Sequence, residues 1–153
     1  MGRISKGTLQ DARDYAFLLL KFRLRSEKEL CERLKKKGFE SGTIREVAGS
    51  LKSKGFIDDR LFAKAWIKSR LGRSLGLRRI RQELNLKGID KEITDTYLNE
   101  VKKVYSEQDV VKNIAQERLE KLKGVEPRCA RRRVYAYLLR RGFSPEIVID
   151  ALN

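Results

Sequence analysis

The chain contains no histidine. That excludes His-based triads, imidazole general bases and His-ligated metal sites. Cysteine occurs twice, at Cys31 and Cys129. Two distant thiols cannot build a disulfide framework or, without histidine, a zinc site; they read as free thiols in a reducing cytosol. No apolar run is longer than Ala16 to Leu20, so neither a membrane span nor a signal peptide is expected. No glycine-rich loop leads into Lys-Ser or Lys-Thr, which excludes a P-loop NTPase at motif level. Proline is rare, with only Pro127 and Pro145, and strand-forming residues never alternate over a long stretch. Acidic residues are outnumbered: 21 Asp and Glu face 36 Lys and Arg, a net charge of +15.

What is present is helix punctuation. The 153 residues, 41% hydrophobic and 37% charged, can bury roughly 68–70% of the surface of the unfolded chain, so no staple is needed. Ser26…Glu29 forms a capping box, Thr43…Glu46 repeats its spacing, and Thr8…Asp11 and Ser106…Asp109 resemble it. Pro127 and Pro145 suit first helical turns, with Ser144 an N-cap for the second. Lys37-Gly38-Phe39, Lys54-Gly55-Phe56, Lys87-Gly88-Ile89 and Arg141-Gly142-Phe143 share a helix-end pattern. In each, a cation faces the last carbonyls, glycine takes the left-handed position and an apolar residue folds back. These marks predict nine helices, near 9–24, 27–37, 43–54, 59–71, 76–87, 91–104, 107–122, 127–141 and 145–152.

The helices fall into three sets of three. Gly38, Gly88 and Gly142 close the middle helix of each set, 50 and 54 residues apart. Eight residues before each glycine stands an apolar residue (Leu30, Ile80, Val134) and four before it a leucine (Leu34, Leu84, Leu138). After it come Phe39, Ile89 and Phe143, and then Ile44, Ile93 and Ile147. The expected fold is all-α: three tandem three-helix repeats, over 8–56, 57–105 and 106–153, forming an elongated curved array. The competing reading is one globular helical domain with accidental repeats.

Little remains that could carry catalysis. Glu100-Val101-Lys102 has the spacing of a metal-nuclease motif, but it lies in a predicted helix and reads as a solvated helix end. Asp58-Asp59 precedes an apolar helical pattern, where N-capping is the ordinary task of aspartate. Neither a cofactor nor a metal is expected, and the chain is not expected to be an enzyme.

The positive charge is segregated. Arg60 to Lys87 holds nine cations and one acid, Glu83, whereas Ile89 to Val110 holds six acids and three lysines. Charge of this sort attracts polyanions or acidic protein surfaces, although a merely well-solvated basic surface is the plainer alternative. In the fourth helix Phe62, Ala65, Trp66 and Ser69 share one face, leaving Lys64 and Lys68 together on the other. Trp66 reads as core rather than as a stacking platform. In the fifth, Leu77, Ile80 and Leu84 face inward, so Arg78 and Gln82 point out, flanked by Arg79, Arg81 and Asn85. The eighth carries Arg128, Arg131, Arg132, Arg133, Arg140 and Arg141, with Arg132, Arg133 and Arg140 on one side around Ala136 and Cys129. Tyr135 and Tyr137 read as core or edge packing before base stacking. The candidate contact face is therefore Lys64, Lys68, Arg70, Arg73, Arg78, Arg79, Arg81, Gln82, Arg132, Arg133 and Arg140.

Gly55-Phe56-Ile57-Asp58-Asp59-Arg60-Leu61-Phe62-Ala63 and the stretch Arg78 to Ile89, RRIRQELNLKGI, resemble the central signature of the RecX family of bacterial regulators of the RecA recombinase. Arg25 to Leu30 and Leu138 to Phe143 add weaker matches, and the likeness runs from about Ala12 to the end. The family usually has Gly-Pro before its Arg-rich helix where this chain has Gly76-Leu77, and Ser74-Leu75 replaces a common Gly-aromatic pair.

The resemblance implies a modular array of three-helix repeats without a catalytic site. It also implies binding in the groove of the RecA–single-stranded-DNA filament, limiting filament extension and depressing ATPase and strand exchange. The expected partners are thus RecA filaments and the DNA within them, with no membrane, for a monomer in the bacterial cytoplasm. A stand-alone nucleic-acid-binding protein is the alternative, and a metal-dependent nuclease a weaker third.

Overall fold

Capping chemistry decides where the helices begin. The computed structural model describes residues 7–153 and contains, among them, nine helices and no strand. They are α1 (Leu9–Phe22), α2 (Glu27–Lys37), α3 (Ser41–Ser53), α4 (Asp59–Gly72), α5 (Leu77–Leu86), α6 (Lys91–Lys102), α7 (Glu107–Lys121), α8 (Pro127–Arg140) and α9 (Pro145–Leu152). Thr8 and Ser26 close full capping boxes with Asp11 and Glu29. Ser106 accepts from the Asp109 amide, and Asp58 accepts from the amides of Arg60 and Leu61. Thr43 does not start its helix: α3 begins two residues earlier, with Glu40 at the N-cap position.

Each set of three helices folds around its own core. Leu30 and Leu34, Ile80 and Leu84, and Val134 and Leu138, the repeated apolar positions, are at most 1% exposed. Burial on this scale contributes about 2 kcal/mol per side chain. The first core is built from α1–α3 and also takes Ile57, the residue at which the second repeat was expected to start. The second gathers α4–α6 and the third α7–α9. The accessible surface, 10587 Å², exceeds by roughly a third the ~8,000 Å² of a compact globule of this mass. Three small cores in a row, not one large one, account for the excess.

Two local expectations fail. The buried face of α4 is Phe62, Ala63 and Ile67 with Trp66 half-buried, while Ala65 and Ser69 are exposed. The helix is turned so that Ile67, which loses most by facing water, enters the core in place of the serine. Phe56 is 51% exposed, its ring resting edge-on against Phe17 at 5.1 Å, and Ile57 is the residue that folds inward.

The repeats meet end to end. The amino end of α2 sits on the carboxyl end of α5, where Ser26 Oγ donates to the Lys87 carbonyl at 2.7 Å. The amino end of α5 sits likewise on that of α8, where the Gly76 amide donates to the Arg141 carbonyl at 2.8 Å. In both junctions the first amide of the middle helix is capped by an acid that opens the next repeat. The Glu27 amide donates to Asp59 at 2.9 Å and the Leu77 amide to Glu107 at 2.7 Å. Orphan donors at one helix start and orphan carbonyls at another's end thus satisfy each other, and the two dipoles align head to tail. Asp58 caps its own helix as expected. Asp59 instead caps a helix of the neighbouring repeat.

Glycine makes this approach possible. Gly88 (φ 76°) and Gly142 (φ 93°) hold the left-handed conformation. A Cβ at either would lie 2.7 Å from Lys28 Cβ or 2.2 Å from Arg79 Cβ, across the junction. At Gly76 an added Cβ would lie 2.2 Å from the Gly142 carbonyl. Backbone on both sides leaves no route of escape there, so Gly76→Ala should keep its helical circular dichroism while undocking the third repeat. The expected readouts are a larger radius of gyration by small-angle scattering and a stability loss of about 1–3 kcal/mol. Unchanged scattering and melting would contradict this account of the junction.

Candidate partner-binding groove

Because the middle helices join end to end, equivalent faces of α2, α5 and α8 come into line. Glu29, Arg33 and Lys36 on α2 correspond by the repeat to Arg79, Glu83 and Leu86 on α5, and to Arg133, Tyr137 and Arg140 on α8. All nine line a chain of three adjoining hollows. The first, at the junction of repeats one and two, is walled by Arg23, Arg25, Arg33, Lys36, Arg70 and Lys87, with Trp66, Glu29 and Glu83 inside. The second shares Glu83 and Leu86 with it and adds Arg78, Arg79, Gln82 and Arg140. The third shares Arg140 and adds Arg118, Lys121, Arg133 and Tyr137. One cationic groove therefore crosses all three repeats.

Two carboxylates organise its floor. Glu29 is 8% exposed and accepts from Nη2 and Nη1 of Arg23, at 3.0 and 3.2 Å, and from the Lys87 ammonium of the next repeat. Burial alone would push its carboxyl up, but these cations hold it below the ordinary value. Glu83 takes three donors, the Trp66 indole N–H at 3.0 Å, Arg70 Nε at 2.7 Å and Arg79 Nε at 3.2 Å. Burial opposes its charge too, and again the donors prevail. Arg79 also donates to the Arg140 carbonyl at 3.2 Å, so this cluster reaches into the third repeat. Arg81 pairs with Asp95, holding that carboxyl low.

The aromatic rings in the groove are already covered. Phe62 stacks on Trp66 at 5.5 Å, and Arg70 and Lys87 lie over it at 4.1 and 5.0 Å. Arg118 sits 3.5 Å from the Tyr137 centroid and Arg141 5.8 Å. The sequence reading of Trp66 as core is half right, since it is half-buried and its polar edge belongs to the groove. A separate hollow at the first junction is of mixed charge: Glu27, Asp58, Asp59 and Asp90 line it together with Lys28, Lys52, Arg60 and Cys31. Burial pushes up the Asp59 carboxyl, and burial together with Glu27 and Asp59 pushes up the Cys31 thiol.

Of the eleven candidate residues, Arg70, Arg78, Arg79, Gln82, Arg133 and Arg140 line this groove. Arg81 shares a neighbouring hollow between α5 and α6 with Arg78 and Gln82. Lys64 lies elsewhere, over the Tyr97 ring at 4.9 Å. Lys68, Arg73 and Arg132 are exposed and line none of these hollows. The groove residues of the first repeat, Arg23, Arg25, Arg33 and Lys36, escaped the sequence reading because acids interleave with them. Shifting Arg79, Glu83 and Leu86 back by one repeat would have found two of them.

The Glu29 and Glu83 carboxyls both titrate below their ordinary value of 4.5. Each stabilises the fold above that pH, and the stabilisation is lost as pH falls through the lowered folded-state value. Glu29→Gln should cost about 2 kcal/mol at pH 7 and flatten the acid limb of a denaturation-against-pH curve below about pH 4.5. Acid limbs that run parallel in variant and parent would contradict the role given to Glu29.

Comparison with known proteins agrees with the tripartite architecture. Family models for the first, second and third three-helix domains of RecX match residues 12–51, 58–98 and 106–152. The regulatory protein RecX of Amycolatopsis mediterranei is 33% identical over 133 residues, 86% of this chain and 75% of that protein. That of Finegoldia magna is 33% identical over 142 residues, 90% of this chain and 68% of the relative. In fold, the crystal structure of RecX from Lactobacillus salivarius superposes with a TM-score of 0.78 at 20% identity, covering 94% of each chain. A second crystal structure, of a regulatory protein RecX, gives 0.81 at 20% identity over 94% of this chain and 72% of the other.

Proposed function

The chain belongs to the RecX family of regulatory proteins, and from that premise we propose that it binds the RecA–single-stranded-DNA filament and chiefly inhibits it. Binding along the filament limits extension and depresses ATPase and strand exchange. It works without catalysis or cofactor, as a monomer in the bacterial cytoplasm. The observation that carries this reading is the continuity of one cationic groove along equivalent positions of three repeats. A repeating groove suits a repeating partner, such as a helical polymer of protein and DNA. Its cations pair with acidic side chains or DNA phosphate, and bridging neighbouring subunits favours one filament state over another through differential affinity.

Among the described residues the side chains of Arg33, Lys36, Arg133 and Arg140 make no ion pair or hydrogen bond within the chain. Their charges are therefore available to a partner, and reversing them should leave the fold intact. The quadruple variant R33E/K36E/R133E/R140E is expected to lose at least tenfold in inhibition of filament ATPase with unchanged circular dichroism. Full inhibition by the folded variant would refute this use of the groove.

The net charge of +15 favours a second reading, direct binding of nucleic acid without RecA. Affinity for bare single strands should then fall with salt at a slope of about −0.7 per phosphate contacted. Tight, salt-steep binding to naked strands that RecA does not alter would favour that reading over the first.

A further inference from the structure

The groove is not uniformly cationic. At the position that carries Lys36 in the first repeat and Arg140 in the third, the second repeat carries Leu86. Leu86 is 66% exposed and lines both of the hollows that meet at the centre of the groove. The cations nearest this centre are already committed. Lys87 is tied to Glu29, and Arg70 and Arg79 are tied to Glu83. Among the described residues, groove cations whose side chains make no hydrogen bond or ion pair stand to either side, at Arg33 and Lys36 in one direction and at Arg140, Arg133 and Lys121 in the other, with Arg78 beside Glu146.

A continuous polyanion gains little over such a centre. Its phosphates would meet a leucine and four cations already engaged by the Glu29 and Glu83 carboxylates, and its bases would find no bare ring, since Trp66 and Tyr137 are covered. An apolar side chain ringed by paired charges, with unpaired cations farther out, is instead the arrangement of a protein–protein interface, apolar at its centre and polar at its rim. The ion pairs of the ring hold its charges in place, and the outer cations steer and register the partner.

We propose that the centre of the groove binds protein and not nucleic acid, with Leu86 entering an apolar recess on an acidic protein surface while the flanking cations meet its acidic rim. This rests on the filament-binding reading and assigns the central contact to the protein component of the filament. It makes Leu86 the residue that distinguishes a protein-coated strand from a bare one.

The experiment compares the parent chain with Leu86→Ser and Leu86→Met, measuring affinity for RecA filaments on single-stranded DNA and for the same DNA bare. Circular dichroism and melting are expected to match across all three, because the side chain lies outside the cores. Leu86→Ser should weaken filament binding at least tenfold and leave affinity for bare DNA within twofold, with Leu86→Met close to the parent. Equal losses on filament and bare DNA would place Leu86 on the strand and overturn the proposal. So would filament binding by Leu86→Ser that equals the parent's. Failure of the parent itself to bind filaments would overturn the functional reading, and this inference with it.

Discussion

Everything in this molecule depends on one approach: the amino end of a middle helix seated on the carboxyl end of the middle helix in the next repeat. Peptide dipoles favour it, because the partial positive charge at one helix start meets the partial negative charge at another's end. Sterics permit it only where the receiving end carries no Cβ, as at Gly88 and Gly142. Hydrogen bonding completes it. Ser26 and the Gly76 amide donate to the Lys87 and Arg141 carbonyls, while Asp59 and Glu107 accept the first amides of α2 and α5. Three separate cores are thereby joined, each keeping its own apolar interior. The price is an enlarged surface; the return is that equivalent helix faces come into line.

That alignment turns a count of charges into a surface with a pattern. A net charge of +15 says that an acidic partner will be attracted, but not where it will sit. Glu29 and Glu83 divide the cations of the groove into two kinds. Arg23, Lys87, Arg70 and Arg79 hold the junctions and the floor together. Arg33, Lys36, Arg78, Arg133 and Arg140 have no such duty, and their interaction with solvent or a partner is the freer for it. The separate hollow at the first junction sets the acids Glu27, Asp58, Asp59 and Asp90 against Lys28, Lys52 and Arg60. An acidic polymer approaching the rod is therefore drawn to the groove, where cations outnumber acids.

The sequence carried the helices almost to their ends, because caps and left-handed glycines are written locally in residue type. Ser26 with Glu29 and Gly88 with Ile89 each announce themselves within a turn. The repeat was legible for the same reason. Neither signal could say that Gly88 and Gly142 face another repeat whereas Gly38 faces open space, since clearance is set by residues far along the chain. The second duty of Asp59 was hidden by its first plausible one. Arg73 entered the candidate face through its place in an acid-free run, and Lys68 through its place opposite Phe62 and Trp66 on α4. Arg33 and Lys36 were passed over because Glu29 and Glu32 interrupt theirs. Correspondence across repeats, more than local charge density or the face of a single helix, is what places a side chain in the groove.

A cryo-electron-microscopy reconstruction of the chain on RecA–single-stranded-DNA filaments tests the central claim most directly. The expected result is density for all three repeats following the filament, with α2, α5 and α8 turned inward and the line from Arg33 through Leu86 to Arg133 at the contact. Density for one repeat alone, or contact through the side bearing Glu27, Asp59 and Asp90, would contradict it.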